Sequence, residues 1–265
     1  MTSASHVEQP PPLLAVRNLS RRFGGLAAVD GVSLHVREGE IYSIIGPNGA
    51  GKTTFFNLVT GVMPPSSGEI EFRGAMVAGK PQHEIAQLGI SRTFQTAQLL
   101  LGNTTRENLL MAGHRKTRTG LLDALFRTRR FGRAEADLED RAEEVANVVG
   151  LAGVYDVAAD ELPTALGQRL AVGMALMSEP ALIMLDEPTG GLREGEVDEL
   201  VELIGRIRAS GTTVVLIEHK MRVVMTISDR IAVLNQGQKI AEDLPSVVRA
   251  DPQVLEAYLG TGYTA

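Results

Sequence analysis

The segment Gly46-Pro-Asn-Gly-Ala-Gly-Lys-Thr53 constrains the fold of this chain more than any other part of its sequence. It matches the pattern G-x-x-x-x-G-K-[ST], whose glycines let successive backbone N–H groups point into one concave nest for phosphate oxygens. The unbroken apolar run from Ile41 to Ile45 precedes it and predicts a strand buried on both faces. Residues 52–60 follow it and suit a helix that ends at Gly61. A strand, a glycine-rich loop and a helix in this order predict a phosphate-binding α/β fold.

Further strands and helices alternate along the chain. Apolar runs from Ala181 to Leu185 and from Thr213 to Ile217 predict two more buried strands, and residues 194–209 between them carry apolar side chains at a helical period. Alternation over Val32 to Val36 predicts a half-buried strand, and residues 69–73 predict a short one. Buried strands that alternate with helices indicate a mainly parallel α/β sheet.

Composition excludes several classes of protein. The 265 residues include 26 Lys and Arg against 32 Asp and Glu, a net charge of −6, and 44% are apolar, which excludes a disordered or collagen-like chain. Only 7 Phe, 4 Tyr and no Trp are present, so neither the acidic balance nor the aromatic content favours a nucleic-acid partner. The absence of Cys excludes disulfides, a thiol nucleophile and Cys-ligated zinc, and it fits a reducing compartment.

We expect no membrane span and no secretory signal. The longest uncharged stretch, from Thr53 to Gly68, is interrupted by glycine and two prolines, and the first ten residues lack a basic region followed by an apolar one. We therefore expect a cytoplasmic protein. The predicted organisation is a disordered tail over residues 1–12, one domain over 13–260 and a second tail over 261–265.

Residues from about 96 to 165 predict a helical subdomain inserted into this domain. Residues 105–111, 121–126 and 134–149 suit helices, and no strand-like run lies among them. A basic stretch over 115–133 precedes an acidic stretch over 135–144. A solvated pair of helices explains these charges, and an alternative is that the basic stretch lies near lipid head groups or an acidic partner.

Two carboxylates follow the second buried run. Asp186 and Glu187 should lie at the carboxyl edge of the sheet, beside the glycine-rich loop. In a site that binds a nucleoside triphosphate, Asp186 would hold Mg²⁺ and Glu187 would orient or deprotonate the water that attacks the γ-phosphate. Lys52 would supply a charge to the β- and γ-phosphates, and the hydroxyl of Thr53 would reach Mg²⁺.

Two further residues are undistinguished alone but fit the same site. His219 follows the third buried run and should open onto the same edge of the sheet, where it could hydrogen-bond the γ-phosphate. Gln95, after Ile90-Ser-Arg-Thr-Phe94, could reach water or Mg²⁺. Both are therefore candidates for the site only because the other motifs are present.

The ordered set of motifs resembles the nucleotide-binding domain of ATP-binding cassette (ABC) transporters, over residues 13–260. The resemblance implies a P-loop NTPase core with a mainly parallel sheet, an N-terminal antiparallel β subdomain and an inserted helical subdomain. It implies ATP and Mg²⁺ as cofactors, Gln95 as the Q-loop residue, Asp186 as the Walker B aspartate, Glu187 as the catalytic base and His219 as the switch histidine. The residues it implies for nucleotide contact are Phe23 on adenine, the Walker A residues Gly46, Pro47, Asn48, Gly49, Ala50, Gly51, Lys52, Thr53 and Thr54, and the signature residues Ala165, Gly167 and Gln168.

Within that family the chain is most similar to the ATPase subunits of branched-chain amino acid importers. Arg22-Phe-Gly-Gly-Leu-Ala-Ala-Val29, Ser91-Arg-Thr-Phe-Gln95, Glu107-Asn-Leu-Leu-Met111, Ile227-Ser-Asp-Arg230 and Ala257-Tyr-Leu-Gly260 carry this resemblance. It implies a second ATPase subunit, two membrane permeases, a solute-binding protein that acts indirectly, and a peripheral position on the cytoplasmic face of the inner (plasma) membrane. The lipopolysaccharide-export ATPases share some of these features.

Two departures from the family pattern affect the signature region. Thr164-Ala-Leu-Gly-Gln168 has Ala165 where the family has the serine of Leu-Ser-Gly-Gly-Gln, and Arg193 lies where a small polar residue usually crosses the dimer interface. Loss of one charge-assisted hydrogen bond would weaken ATP-driven closure by about 1.5 to 3 kcal/mol, although we expect the N–H of Gly167 to remain available. Because one chain's signature completes the partner's site, these changes predict an asymmetric heterodimer, with a tolerant homodimer as the alternative.

The sequence leaves other functions open. A non-catalytic or slow ATP-binding partner fits the altered signature, although Glu187 and His219 are present. An ATPase of a different ABC system, such as lipopolysaccharide export, also remains. A soluble ABC protein of translation or repair would need two cassettes or a long coiled coil, and a P-loop kinase would leave the helical insert unexplained.

Overall fold

The structure is a computed structural model that describes residues 11–93, 99–114 and 129–259. The strands are β1 (Leu14–Phe23), β2 (Leu26–Val36), β3 (Ile41–Ile45), β4 (Ser67–Phe72), β5 (Ala75–Met76), β6 (Ile90–Arg92), β7 (Leu182–Asp186), β8 (Thr213–Ile217), β9 (Arg230–Asn235) and β10 (Gln238–Asp243). The helices are α1 (Lys52–Val59), α2 (Gln82–Leu88), α3 (Thr105–Gly113), α4 (Arg129–Val149), α5 (Thr164–Leu176), α6 (Glu194–Ala209), α7 (Met221–Ile227), α8 (Pro245–Ala250) and α9 (Pro252–Leu259).

Two sheets organise the chain. The larger has the order β10-β9-β3-β8-β7-β6, in which β9, β3, β8, β7 and β6 are parallel and β10 is an antiparallel edge strand. The smaller has the order β2-β1-β4-β5 and is antiparallel throughout. The expected α/β P-loop NTPase class, with a mainly parallel sheet and an N-terminal antiparallel sheet, is therefore confirmed.

Alternation along the central strands divides the core between the two faces of the large sheet. Leu182 and Met184 of β7 belong to the cluster that contains Phe55 and Phe56 of α1. Ile183 and Leu185 belong to a second cluster on the other face, with residues of α4, α5 and α6. Because both faces are covered, the inner strands are uninterrupted apolar runs, which is why they are visible in the sequence.

Helices α3, α4 and α5, which follow β6 and precede β7 along the chain, pack against one another. A Cβ at Gly173 of α5 would lie 3.1 to 3.4 Å from side chains of Leu109, Val145 and Val149, so glycine allows close approach of these helices. Helix α4 starts at Arg129, five residues before the expected start, and continues through Gly132, where no described atom lies within 4 Å of a Cβ position. The predicted helix over 121–126 lies outside the described residues.

The charges of this helical segment are only partly described. The acidic stretch lies on α4, where Glu139 accepts two hydrogen bonds from Arg106 of α3 at 2.6 and 2.7 Å. Most of the basic stretch lies outside the described ranges. Within those ranges, no helix has the length and apolar character that crossing a membrane would require.

Candidate active site

The glycine-rich loop connects β3 to α1 in a backbone conformation that side chains would obstruct. Gly46 and Gly51 have φ values of +149° and +100°. A Cβ at Gly46 would lie 2.0 Å from the carbonyl oxygen of Leu234, and one at Gly51 would lie 2.2 Å from that of Ala28. The N–H of Gly237 also donates to the carbonyl of Ala50 at 3.1 Å. Strand β2 and the β9–β10 turn therefore fix the loop on both sides.

Lys52, the first residue of α1, folds its side chain back over this loop. Its Nζ donates to the carbonyl oxygens of Gly46 at 2.6 Å and Pro47 at 3.0 Å, and the residue is buried. Burial lowers the pKa of Lys52, and the charges of Glu187 and Asp186 act in the opposite direction. Lys52 therefore lies close enough to both predicted carboxylates for their charges to act on its ammonium group. Thr53 is exposed and Thr54 half-buried at the start of the same helix.

Phe23 ends β1 in a hairpin that approaches the loop. It pairs with Leu26, and Ala28 on the returning strand makes the contact with Gly51 described above. Its ring is 45% exposed, with the guanidinium of Arg21 4.9 Å from the ring centroid. An exposed aromatic face beside a phosphate loop is suited to stacking on a base.

Asp186 and Glu187 lie at the carboxyl end of β7. Asp186 is 3% exposed, and its Oδ2 accepts a hydrogen bond from Arg92 at 2.6 Å. Its Oδ1 is also buried, and no hydrogen-bond partner for it lies among the described residues. Glu187 adopts φ +48°, a left-handed conformation uncommon for non-glycine residues and frequent at functional sites.

The donor set around Asp186 fits a magnesium ion that arrives with nucleotide. In the described part of the chain, no group of three or more His, Cys, Asp or Glu side chains is placed to hold a metal. Mg²⁺ commonly takes one or two carboxylates together with substrate phosphates and water. A buried carboxylate oxygen that has no partner among the described residues, close to a phosphate loop, meets that requirement.

His219 lies near Glu187, and the buried carboxylate of Glu218, which was not predicted from the sequence, holds their two segments together. The His219 Nδ1 is 3.8 Å from Glu187 Oε2. Glu218 is fully buried and accepts hydrogen bonds from the backbone N–H of Thr189 at 3.0 Å, of His219 at 2.9 Å and of Lys220 at 3.1 Å, and from the Thr189 hydroxyl. Glu218 thus ties the turn after Glu187 to the segment that carries His219.

The signature residues begin α5. Gln168 Nε2 donates to the carbonyl of Gly190 at 2.5 Å, which joins this helix to the segment after Glu187. Ala165 is half-buried in the first turn. The expectation that the N–H of Gly167 remains available is wrong, because it donates to the carbonyl of Pro163 at 3.0 Å. The helix starts at Thr164, so the first amide with a carbonyl four residues earlier is that of Gly167, and the earlier amides are the ones left without one.

One expected site residue, Gln95, follows β6 along the chain, and one unexpected residue, Arg92, ends it. Gln95 lies outside the described residues. Arg92, three residues before it, contacts Asp186 directly and was not singled out from the sequence. The signal in the sequence was that Arg92 follows Ile90 by two residues, which places a charged side chain on the same face of a short strand as an apolar one. That signal is weak without the neighbouring strand that pairs with it.

Comparisons with known proteins agree with this geometry. The sequence profile of the family described as ABC transporter matches residues 29–190, and the profile described as branched-chain amino acid ATP-binding cassette transporter matches residues 238–264. The high-affinity branched-chain amino acid transport ATP-binding protein LivG of Salmonella typhimurium is 46% identical over 250 residues, which cover 94% of this chain and 98% of that protein. The corresponding protein BraF of Pseudomonas aeruginosa is 44% identical with the same coverage.

Solved structures give the same result. A nucleotide-free ATP-binding cassette from an ABC transporter superposes with a TM-score of 0.83 at 33% identity and covers 94% of this chain and 100% of that one. The ADP conformation of an ATP-binding cassette of an ABC transporter has a TM-score of 0.82 at 33% identity, with coverage of 94% and 99%.

Proposed function

The chain belongs to the ABC transporter family, and from this premise we propose that it is the ATP-hydrolysing subunit of an importer for branched-chain amino acids, other amino acids or amides. One observation carries the catalytic part of this proposal: β3, β8 and β7 are neighbouring parallel strands, so the phosphate loop with Lys52, His219, and the pair Asp186 and Glu187 share the carboxyl edge of the sheet. The likeness to LivG and BraF over nearly their whole lengths supports the importer.

The proposed mechanism assigns each group a separate task. The loop amides from Gly46 to Thr54, with the positive end of α1, bind the phosphates of ATP, and Lys52 moves from the loop carbonyls onto the β- and γ-phosphates. Phe23 stacks on adenine. Glu187 orients the attacking water and accepts its proton, and His219 contacts the γ-phosphate.

We propose that Thr53, Gln95 and Asp186 hold Mg²⁺ together with the nucleotide. The buried Oδ1 of Asp186 supports this assignment, because it has no partner in the described part of the chain, and a carboxylate oxygen near a phosphate loop fits a hard cation. Bound Mg²⁺ would neutralise charge that develops on the transferred phosphoryl group.

ABC ATPases work as dimers with permease subunits, and we propose that this chain pairs with a different ATPase. Ala165 lacks the serine hydroxyl that contacts the partner's nucleotide, so the signature of this chain would complete the weaker of two sites. In the paired complex, Ala165→Ser should raise total turnover by restoring a charge-assisted hydrogen bond of about 1.5 to 3 kcal/mol. The steady-state ATPase rate tests this, and an unchanged rate would count against asymmetric sites.

The mass of the Glu187→Gln chain in solution separates heterodimer from homodimer. Without its proposed base the chain should hold ATP unhydrolysed, so any closed dimer would accumulate. We predict a monomer that binds ATP when the chain is alone and a dimer when the second ATPase is added. An ATP-dependent dimer of this chain alone would instead support the homodimer.

The permeases would place the chain on the cytoplasmic face of the inner membrane, and we propose the surface between the Gln95 segment and the helical part, about residues 96–165, as their contact. Uptake of labelled leucine by vesicles that contain the assembled transporter tests the proposed solute class. Glu187→Gln should abolish this uptake. A complex that instead extracts lipopolysaccharide would support the export alternative.

A further inference from the structure

The sheet register brings Arg92 to Asp186. Strands β6 and β7 are parallel, with Ile90 opposite Leu182 and Arg92 opposite Met184. Ile90, Leu182 and Met184 all belong to the core cluster on the α1 face. Side chains two residues apart share a face, so Arg92 and Asp186 continue this face to the carboxyl edge of the sheet. Arg92 lies opposite Met184, two residues before Asp186, and its long side chain reaches along the strands to the Asp186 carboxylate.

The guanidinium of Arg92 contacts two other elements at once, β7 and α1. One terminal nitrogen donates to Asp186 Oδ2 at 2.6 Å on β7, and the other donates to Asn57 Oδ1 at 2.5 Å on α1. The group also lies over the Phe56 ring, 5.5 Å from its centroid. The side chains of Arg92 and Asp186 are only 5% and 2% exposed. Because the guanidinium of Arg92 is planar and its N–H donors point in fixed directions, it holds the Asp186 carboxylate in a fixed position relative to α1, the helix that begins at the phosphate loop.

The contact leaves the two oxygens of Asp186 in different states. Oδ2 is held by Arg92, whereas Oδ1 is buried without a partner among the described residues. A buried polar atom left unpaired is costly, and such atoms are commonly completed by a water, an ion or a ligand. Removal of Arg92 would free the carboxylate to rotate, so the direction of Oδ1 depends on Arg92.

We propose that Arg92 is a positioning residue for the metal site, and this inference rests on the proposed function. By holding Oδ2, Arg92 presents Oδ1 of Asp186 to the Mg²⁺ that enters with ATP. The same contact balances the buried carboxylate while nucleotide is absent, so Lys52 is left to bind phosphate. The positive charge of Arg92 beside Asp186 also repels Mg²⁺. Loss of this repulsion would lower the Mg²⁺ concentration that the protein requires, whereas loss of positioning would raise it, so the experiment distinguishes the two effects.

The test measures the Mg²⁺ concentration that half-saturates binding of a fluorescent ATP derivative to the purified chain, and the affinity for the same nucleotide in EDTA. Arg92→Met removes the charge at similar length, and Arg92→Lys keeps the charge but cannot reproduce the fork. Arg230→Met is the matched control. Arg230 is also a largely buried arginine, paired with Glu40 and Glu242, but it lies at the amino end of β9, away from the loop.

Both Arg92 variants should raise the half-saturating Mg²⁺ concentration about 10- to 100-fold, the range typical of lost outer-sphere partners, with metal-free affinity nearly unchanged. Arg230→Met should leave both values unchanged even where it lowers thermal stability. Arg92→Lys keeps the test valid if Arg92→Met does not fold.

An unchanged or lower Mg²⁺ requirement in the Arg92 variants would overturn the inference, and so would an equal loss of metal-free affinity. If the unsubstituted chain itself binds nucleotide without any effect of Mg²⁺, the proposed metal site fails, and the inference fails with it.

Discussion

Gly51 lies where the phosphate loop enters α1, between β2 and the β9–β10 turn. Its φ of +100° is unfavourable for any side chain, and a Cβ would lie 2.2 Å from the Ala28 carbonyl oxygen. The loop therefore depends on glycine here for space as well as for backbone conformation.

Gly51→Ala should lower the free energy of unfolding by at least about 2 kcal/mol and abolish ATP binding, because the strained backbone must move away from β2. Denaturant unfolding and nucleotide titration measure both effects. Gly205→Ala is the matched control: Gly205 is exposed in the middle of α6 and no described atom lies within 4 Å of its Cβ position, so stability should rise by about 0.5 to 1 kcal/mol. Normal ATP binding by Gly51→Ala would contradict the loop geometry.

Glu218 offers a second prediction for a single side chain. Glu218→Gln replaces one acceptor oxygen by an N–H₂ group that faces backbone donors, so the Thr189 and His219 segments should separate. We expect ATP turnover to fall about 100-fold through misplacement of Glu187 and His219, with little change in ATP affinity. Turnover and binding are measured separately in the assembled transporter.

Glu202→Gln provides the control for this change, because Glu202 is exposed on α6, away from the site. It should change neither quantity. Equal losses of turnover and affinity in Glu218→Gln would show that the residue acts only on folding.

Strand β3, which leads into the phosphate loop, is secured at its start by a buried tyrosine. The hydroxyl of Tyr42 donates to Glu242 Oε1 of β10 at 2.8 Å. Burial, together with the charge of Glu242, raises the pKa of Tyr42 well above its usual value. The folded state therefore keeps this proton at pH values where the unfolded chain releases it. The resulting stability is fully present below the unfolded pKa of about 10 and is lost as the pH rises further.

Tyr42→Phe should be less stable than the unsubstituted chain by about 1 to 3 kcal/mol at pH 8, and this gap should shrink above pH 10. Urea unfolding at both pH values measures it. Ile44→Val, on the same strand, is the control, since it costs about 0.5 to 1.5 kcal/mol without a titrating group. A gap that stays constant or widens above pH 10 would contradict the role given to Tyr42.

Elements whose apolar pattern follows directly from their burial were predictable from the sequence, and contacts between elements were not. Strand β8 and helix α6 begin and end where the apolar patterns placed them, because those patterns reflect direct burial. The pairing of Arg92 with Asp186 depends on the register of two strands about ninety residues apart. The role of Glu218 depends on the turn that contains Thr189, which only tertiary packing brings close to Glu218. Whether the Gly167 amide is hydrogen-bonded within its helix depends on the residue at which α5 starts.

At the scale of the whole molecule, the large sheet gathers the site at one edge. The phosphate loop follows β3, Asp186 ends β7 with Glu187 directly after it, and His219 follows β8. These three strands are neighbours in the order β3-β8-β7. Residues from distant parts of the chain meet there because the carboxyl ends of parallel strands share one edge. The signature helix α5 belongs to the same chain, and in an ABC dimer it would complete the partner's site.

ATP turnover by the assembled transporter with Glu187→Gln tests most directly whether this edge is a hydrolytic site. We predict that this variant binds ATP as tightly as the unsubstituted chain while hydrolysis at its own phosphate loop falls by a factor of about 100 to 10,000, the contribution of a general base. A single-turnover assay with labelled ATP resolves binding from hydrolysis. Hydrolysis at an undiminished rate, with ATP bound at that loop, would contradict the assignment of Glu187 and the site built around it.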